Sequence, residues 1–265
     1  MDDFNYKRSL GQNFLVDDSV VSDIANSIDY KENSMIVEIG PGSGNLTKKL
    51  LDRVDFALLY EVDSRLKGVL KRELMNYSNY DIIWDDFLSR DINEDLSKYN
   101  YDNVYVVANL PYYITTPIIS KFILEMSSAL EIVIMVQKEV ADRLTALVGT
   151  RDYGQLTVFI NYYFEVEKIF EVNRKSFYPS PNVDSAVIRM VRRSNLDELV
   201  CFEHFERLVR DAFQFKRKTI KNNLINKYDM DIVSTVLLRN DLNVSMRSEN
   251  VPYYVFVELS NELCR

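Results

Sequence analysis

The apolar residues in the first half of the chain form short runs that predict a parallel sheet. Each run is rich in β-branched and aromatic residues, and amphipathic stretches with apolar residues three or four apart separate the runs. Strands of this length alternating with helices are typical of a parallel sheet covered by helices on both faces. A helix opened by Asp17 or Asp18 precedes the first strand. The predicted strands are 34–39, 56–62, 80–84, 104–109 and 131–137.

The pattern changes after the fifth strand. Two further β-type runs, 164–170 and 185–191, flank a proline-rich loop that is too short for a crossover helix, and they predict an antiparallel hairpin at the sheet edge. After about Ser194 the apolar spacing is helical. We therefore predict an α/β, Rossmann-like domain over 1–194 and a small all-α domain over 195–265. The helices predicted in the second domain are 202–215, 218–227, 229–239 and 249–263.

Composition narrows the class of protein. The chain has 265 residues, 47% of them hydrophobic, and no run approaches the ~18 apolar residues that a membrane span requires. The two cysteines, Cys201 and Cys264, lack metal-ligand spacing and suit a reducing compartment. With a single histidine, His204, neither a Ser–His triad nor a histidine-rich metal site is expected. We expect a cytoplasmic protein that needs no metal.

Charge is distributed unevenly. The net charge is −8, which argues against a general polyanion binder. Between Arg207 and Lys227, however, seven basic residues and one acid give a net +6, so the remainder of the chain carries −14. This basic segment is either a surface that contacts phosphates or an ordinary solvated helix surface.

A glycine-rich turn follows the first strand. Gly40, Gly42 and Gly44 lie where the chain turns toward a helix, and glycines there let a ligand approach the backbone closely. The dinucleotide fingerprint G-x-G-x-x-G is not met, because the third glycine comes one residue too early. A nicotinamide cofactor is therefore disfavoured. The turn predicts a nucleoside-like ligand or, alternatively, a tight turn without one.

Carboxylates follow the next two strands. Glu61 lies at the end of the second strand, where a carboxylate accepts hydrogen bonds from ribose hydroxyls. Asp85 and Asp86 follow the third strand, and one of them is placed to accept from an adenine amine. Because ligands of open α/β sheets bind at the carboxyl ends of the strands, these positions together predict an adenosine pocket without a pyrophosphate.

The fourth strand ends in "NLPYY", beside the same pocket. The side-chain oxygen of Asn109 and the carbonyl of Leu110, directed by the proline that follows, are two converging acceptors that suit an –NH2 group. Tyr112 offers a ring face for a flat base, and Phe177, on a loop stiffened by two prolines, supplies a second ring. The alternative is a capped strand end with core tyrosines.

Several motifs occur together in one order along the chain. They are "SLGQNFL" (9–15), "EIGPGSGNLT" (38–47), "NLPYYITTP" (109–117), "QKEVADRL" (137–144), "FYPSPNVDSAVI" (177–188) and "FQFKRKTIKNNL" (213–224). Over essentially its full length the chain resembles the bacterial 16S ribosomal RNA (adenine-N6,N6) dimethyltransferases, the kasugamycin-sensitivity methyltransferases. The erythromycin-resistance methylases, which act on large-subunit RNA, share the plan, but they typically have Ile at the position of Leu110.

The resemblance implies a fold, a reaction and a set of site residues. The fold is the Rossmann-like class I methyltransferase sheet, and the methyl donor is S-adenosylmethionine. The target is N6 of two adjacent adenines near the 3′ end of 16S rRNA within the 30S subunit. Apart from the resemblance, nothing in the sequence demands more than a monomer, and we expect one. Tyr112 and Phe177 hold the flipped adenine, and Lys216, Arg217, Lys218 and Lys221 contact RNA. The implied donor-site residues are Asn13, Leu15, Gly40, Gly42, Glu61, Asp86 and Asn109.

Three other functions remain open from the sequence. One is methylation of large-subunit RNA, which changes the substrate and not the chemistry. Another is a ribosome-assembly factor for which methylation is incidental. The third, a Rossmann oxidoreductase, fits least well because of the glycine spacing.

Overall fold

The computed structural model describes residues 12–126 and 128–264, which form two compact units. One unit comprises 12–141 and 167–192, and the other comprises 142–166 and 193–264. The first contains the central sheet and the second is mostly helical. The sequence predicts a single boundary at 194, whereas in the structure residues 142–166 also pack with the second unit.

A seven-stranded sheet forms the centre of the first unit. Its strand order is β4-β3-β2-β5-β6-β9-β7. Neighbouring strands from β4 to β6 pair in parallel, and β9 pairs antiparallel to β6. The predicted parallel sheet with an antiparallel edge is confirmed. The strands of the described residues are β1 (Phe14–Leu15), β2 (Ser34–Ile39), β3 (Phe56–Tyr60), β4 (Tyr80–Ile83), β5 (Asn103–Asn109), β6 (Ala129–Gln137), β7 (Phe164–Val172), β8 (Phe177–Tyr178) and β9 (Ser185–Arg192).

Helices connect the parallel strands. The first begins after Asp17, whose carboxylate accepts a hydrogen bond from the backbone N–H of Ser19. The fifth begins at Thr115, as the sequence predicts for the segment after "NLPYY". The helices along this part of the chain are α1 (Asp18–Asn26), α2 (Asn45–Leu51), α3 (Lys67–Glu73), α4 (Ile92–Leu96), α5 (Thr115–Glu125) and α6 (Lys138–Leu144).

Strand β2 is buried on both faces. All six of its residues are buried, as the apolar run 35–37 predicts for a strand covered by helices on both sides. Side chains from α1 and α2, such as Ile24 and Leu50, share a core with Ile36 of β2. Each fully buried aliphatic side chain of this kind stabilises the fold by roughly 1.5–3 kcal/mol. The core therefore fixes the sheet, and the strand ends are free to carry chemistry.

A second, two-stranded sheet lies outside the sequence prediction. In the antiparallel pair of β1 with β8, Phe14 is opposite Tyr178 and Leu15 is opposite Phe177. The backbone N–H of Val16 also donates to the carbonyl of Ser176 at 2.9 Å. The proline-rich segment was expected to be only a loop. Each of these strands has only two residues, too few to show a strand pattern in the sequence. Their partners are also more than 150 positions apart along the chain.

The second unit is helical, with a core of its own. Tyr162 of α7 and Phe205 of α8 pack together at 5.5 Å between ring centroids, which explains why 142–166 belongs with the C-terminal helices. The only histidine, His204, is buried, and its Nδ1 lies 3.0 Å from Ser260 Oγ. The helices are α7 (Gln155–Tyr163), α8 (Phe202–Ala212), α9 (Ile220–Leu224), α10 (Met230–Arg239) and α11 (Tyr253–Leu263).

Two negative findings apply to the described residues alone. Within 12–126 and 128–264, no helix is both long and apolar enough to cross a membrane. In the same ranges, no cluster of three or more His, Cys, Asp or Glu side chains has the arrangement of a metal site.

Candidate functional site

One pocket lies at the carboxyl edge of the sheet in the first unit. Residues that follow four neighbouring strands, β2, β3, β4 and β5, line it, together with the segment 12–15. The structure thereby brings together residues that are far apart in sequence. Of the predicted site residues, the lining includes Asn13, Leu15, Gly40, Gly42, Glu61, Asp86, Asn109, Leu110 and Tyr112.

The glycine-rich turn forms the floor of the pocket. Gly40 and Gly42 have φ of +70° and +58°, a conformation that residues with a Cβ rarely adopt. A Cβ at Gly42 would lie 3.0 Å from the ring of Phe14, whereas a Cβ at Gly40 would meet no protein atom within 4 Å. Gly42 is therefore needed for packing. Gly40 leaves open space on the pocket side of the backbone.

Glu61 is held rigidly at the end of β3. Its Oε2 accepts a hydrogen bond from the N–H of Gly42 at 3.2 Å, and its Oε1 accepts from the N–H of Asp63 at 2.8 Å. Burial raises the pKa of Glu61, and these two N–H groups partly oppose the rise. Each carboxylate oxygen has a further lone pair for a ligand hydroxyl. This is the geometry that a ribose-binding carboxylate needs.

A second carboxylate, Glu38, lies in the pocket and was not predicted. It belongs to β2, is 2% exposed, and its Oε2 has no hydrogen-bond partner among the described residues. Burial raises its pKa to about 8; the hydroxyl of Thr47 acts in the opposite direction and the charge of Glu61 adds to the rise. The signal was a charged residue inside an apolar strand, which is expensive unless a ligand compensates it.

The two aspartates after β4 have different environments. Asp86 caps the short helical turn 87–89 by accepting from the N–H of Leu88 at 2.9 Å. Asp85 accepts from the N–H of Asp86 at 2.8 Å and lies 3.7 Å from the guanidinium of Arg90. Both side chains are exposed at the pocket edge. Asp85 is thus partly neutralised by Arg90, whereas the capping bond of Asp86 occupies only one of its oxygens.

The orientation of the Asn109 amide is set by its partner. Asn109 Nδ2 donates to the backbone carbonyl of Asn13 at 3.2 Å. Because a carbonyl only accepts, the NH2 end must face Asn13, and the Oδ1 acceptor is turned the other way. The next residue, Leu110, is held by its N–H, which donates to the carbonyl of Met135 at 3.1 Å. The Asn109 amide and the peptide group that joins Asn109 to Leu110 are therefore held in place in the pocket wall.

Tyr112 is anchored through its hydroxyl group. The phenol oxygen lies 2.7 Å from Ser185 Oγ, and Ser185 is a fully buried residue at the start of β9. Burial raises the pKa of Tyr112, so the phenol is neutral at physiological pH. The ring is half-buried and lines the pocket. A tyrosine fixed at its far end presents its ring in one orientation.

The segment 12–15 is bound to several loops of the pocket. Gln12 Nε2 donates to Asp63 at 2.8 Å, and Asn45 Nδ2 donates to the carbonyl of Leu15 at 3.1 Å. Hydrogen bonding to Arg65 lowers the pKa of Asp63 to about 2, so Asp63 remains a charged acceptor. Asn13 and Leu15 are thereby placed in the pocket wall.

Phe177 has a different position from the one expected of a base-stacking ring. It is 3% exposed, pairs with Leu15 across the small sheet, and belongs to the apolar core that contains Val187. It is outside the lining of the pocket described above. Stacking of Phe177 on a base stays a prediction, and it requires that the pocket rearrange when the base enters.

The four predicted RNA-contact residues lie in the second unit. They are exposed and occupy the connection between α8 and α9 and the first turn of α9. The ammonium of Lys218 lies 4.6 Å from the ring centroid of the exposed Phe215. No ion pair with a carboxylate forms within the described residues for Lys216, Arg217, Lys218 or Lys221. Lys227, by contrast, pairs with Asp211 at 2.7 Å.

Comparisons with a family model and with named relatives indicate the same family for this chain. A family model described as ribosomal RNA adenine dimethylase matches residues 3–264. Proteins named ribosomal RNA small subunit methyltransferase A are 41% identical in Geobacillus sp. (strain WCH70), over 268 residues, and 41% identical in Bacillus mycoides (strain KBAB4), over 272 residues. Each match covers 98% of this chain and 92% of the relative.

Two solved structures resemble the whole chain. The 23S rRNA methyltransferase ErmE has a TM-score of 0.76 at 28% identity, covering 96% of this chain and 100% of that one. A dimethyladenosine transferase from Plasmodium falciparum also has a TM-score of 0.76, at 27% identity, covering 93% of this chain and 96% of that one. With a family match over nearly its full length, the chain belongs to the ribosomal RNA adenine dimethylase family.

Proposed function

We propose that this protein transfers methyl groups from S-adenosylmethionine to N6 of two adjacent adenines near the 3′ end of 16S rRNA. The observation that carries the proposal is the Asn109 amide, oriented by the carbonyl of Asn13 and followed by Leu110, in a pocket that also contains the carboxylate of Glu61. Family membership and relatives named small subunit methyltransferase support the same activity.

The pocket residues fit the methyl donor. The donor supplies an electrophilic methyl group on a positively charged sulfur. Glu61 would accept from its ribose hydroxyls, Asp86 from its adenine amine, and the open side of Gly40 would admit its chain. Asn13 and Leu15 would close the wall of the pocket. Glu38 is a buried carboxyl whose Oε2 has no hydrogen-bond partner among the described residues, so this oxygen would be satisfied by a ligand in the pocket.

Asn109 and Leu110 would hold the target amine. The lone pair of an adenine N6 is delocalised into the ring, which makes it a poor nucleophile. Two acceptors that bind its two hydrogens orient the nitrogen and stabilise the positive charge that develops on it. Loss of one such preorganised group typically lowers kcat by about 10²–10³-fold. Asn109 and Leu110 would therefore contribute to catalysis by positioning N6 and by stabilising its developing positive charge.

The base itself would be held by aromatic stacking. Enzymes that modify a base inside RNA extrude it into a pocket and stack it between apolar rings. The Tyr112 ring, anchored at Ser185, would stack on one face of the adenine, and Phe177 would provide the other after rearrangement. Since two methyl groups are added, the pocket must also accept N6 that already bears one.

No side chain is required to remove the proton. The N–C bond forms as the S–C bond breaks, the electron pair stays on sulfur, and N6 becomes cationic. This nitrogen is acidic enough to lose its proton to water. The phenol of Tyr112 donates to or accepts from Ser185 and its pKa is raised, so it is not a base at neutral pH.

The small subunit is the favoured substrate on sequence grounds. Identity to the small-subunit enzymes is 41%, against 28% to the 23S rRNA methyltransferase of similar fold. The proposal extends to action as a monomer in the cytoplasm on an assembling 30S subunit. The helical C-terminal domain, 195–265, would contact rRNA through its basic segment.

The proposal is tested by locating the transferred methyl groups. The protein is incubated with labelled S-adenosylmethionine and 30S particles that lack these methylations, and the rRNA is mapped by mass spectrometry. We expect N6,N6-dimethyladenosine at two adjacent positions near the 3′ end of 16S rRNA. Label confined to 23S rRNA, or to another atom of the base, would contradict the proposal.

A further inference from the structure

The segment 173–184, which we call the rim loop, lies at the same edge of the sheet as the acceptor pair. Asn109 of β5 is opposite Met135 of β6, and Gln137, two residues further along β6, is opposite Ser185 of β9. The rim loop ends immediately before Ser185. The bond between Ser185 and Tyr112 at 2.7 Å joins the two regions directly.

The rim loop is preorganised by hydrogen bonds within itself. The backbone N–H of Arg174 donates to Asp184 at 3.0 Å, and its guanidinium donates to the carbonyl of Asn182 at 3.1 Å. Ser180 Oγ donates to the carbonyl of Arg174 at 2.8 Å. The pairing of β8 with β1 fixes the loop to the pocket wall. A ligand binding here would lose little free energy to ordering the loop.

The rim loop presents an aromatic ring and a cation to solvent. Alternation in β8 directs Phe177 into the core and leaves Tyr178 59% exposed. Lys175 is exposed, and its ammonium pairs with no carboxylate of the described residues. The single carboxylate of the loop, Asp184, already accepts from Arg174. Tyr113, which lines the pocket, is 58% exposed.

An exposed ring beside an unpaired cation suits a single-stranded nucleic acid. Bases stack on aromatic faces, and phosphates are neutralised by lysines along the backbone. On a chain with a net charge of −8, contacts with RNA must be made by local features of this kind. A protein partner is less favoured, since the loop exposes two cations, Arg174 and Lys175, and one ring, and no extended apolar surface.

We propose that the rim loop binds the RNA strand next to the target adenine, with Tyr178 stacking on a neighbouring base and Lys175 contacting a phosphate. This inference rests on the proposed function of the adjacent pocket. Tyr113, the exposed ring in the pocket lining, receives the base on the other side of the target. The contacts would hold the strand in place while one adenine and then the next enters the pocket.

The test measures kcat and KM separately for 30S particles that lack the methylations. Tyr178→Ala is expected to raise KM for RNA about tenfold, consistent with the loss of one base–aromatic stack, with kcat and donor affinity unchanged. Tyr178→Phe retains the ring and should restore the wild-type KM. Lys175→Ala should weaken RNA binding and reduce the salt dependence by about 0.7 in the logarithmic slope.

Matched substitutions separate these effects from general ones. Tyr254→Ala removes an exposed tyrosine of α11, and Lys31→Ala removes an exposed lysine at the amino end of β2; neither should change KM or the salt slope. A wild-type KM for Tyr178→Ala, or a fall in kcat without a change in KM, would overturn the inference. Failure of the wild-type protein to methylate adenine would instead refute the proposed function.

Discussion

The buried carboxyl of Glu38 allows a quantitative prediction. Its pKa is raised from 4.5 to about 8 by burial in the pocket. Between these two pH values the folded protein binds a proton that the unfolded chain does not. The free energy of unfolding therefore falls as pH rises from 4.5 to about 8, and this contribution is constant outside that window.

Substitution Glu38→Gln removes this dependence and keeps the shape of the side chain. One pKa unit corresponds to about 1.4 kcal/mol. Within the window from pH 4.5 to about 8, the free energy of unfolding of the variant minus that of wild type should therefore rise by about this amount for each pH unit. Between pH 4.5 and about pH 7 the total is about 3 kcal/mol in favour of Gln.

The assay is urea unfolding at a series of pH values, followed by tryptophan fluorescence. The single tryptophan, Trp84, packs against the core of the unit that contains Glu38, so its emission reports on that unit. Glu32→Gln, at an exposed position before β2, controls for the loss of one carboxylate. A stability difference between Glu38→Gln and wild type that stays constant from pH 5 to pH 8 would refute the reasoning.

The other predictions concern the two ligands. Asn109→Ala should lower the rate of methyl transfer by about 10²–10³-fold and donor affinity far less; equal losses would confine Asn109 to the donor site. Glu61→Ala should weaken the donor in calorimetry with little effect on RNA, and unchanged donor affinity would remove it from the site. Tyr112→Phe and Ser185→Ala should lower the rate of methyl transfer by similar factors, and the double variant should lose no more than either single variant. Losses that add in the double variant would show that the bond between the two side chains does not matter for the rate. Replacing Lys216, Arg217 and Lys218 together by Ala should lower RNA affinity and reduce the logarithmic salt slope by about 2. An unchanged slope would mean that these residues form a solvated surface that does not contact RNA.

Local periodicity was sufficient to predict the sheet. The strand at 34–39 has the predicted limits, and the strand beginning at Phe56 ends two residues earlier than expected. A long apolar run indicates a buried strand, whereas the residue at which the strand ends depends on hydrogen bonds in the loop that follows. The helices after 200 were placed correctly but drawn too long, since α9 contains only Ile220–Leu224. Its neighbours in the sequence are exposed turns that an apolar pattern does not distinguish.

The sequence predicted those site residues that lie at the carboxyl ends of the parallel strands. Gly40, Glu61 and Asn109 meet in one pocket because β2, β3 and β5 are parallel neighbours. Glu38 was missed because its position within a strand suggested packing. The bond between Tyr112 and Ser185 was missed because it joins residues 73 positions apart, and only the register of β9 brings them together.

Packing between distant segments was the least accessible feature. The pairing of β1 with β8 has no local signal, yet it determines where Phe177 and Tyr178 point. Phe177 was expected at the base, and the structure instead buries it in the core. His204, for which the sequence indicated no site, is buried beside Ser260. Such positions follow from tertiary contacts, which composition and spacing do not encode.

The most direct measurement is a structure of the protein bound to RNA that contains the target adenines and to a non-reactive analogue of the methyl donor. The account predicts that N6 of an extruded adenine lies about 3 Å from both Asn109 Oδ1 and the Leu110 carbonyl, with the donor's reactive end on the other side of N6. An adenine that remains stacked in the RNA, or an N6 that contacts neither acceptor, would contradict it.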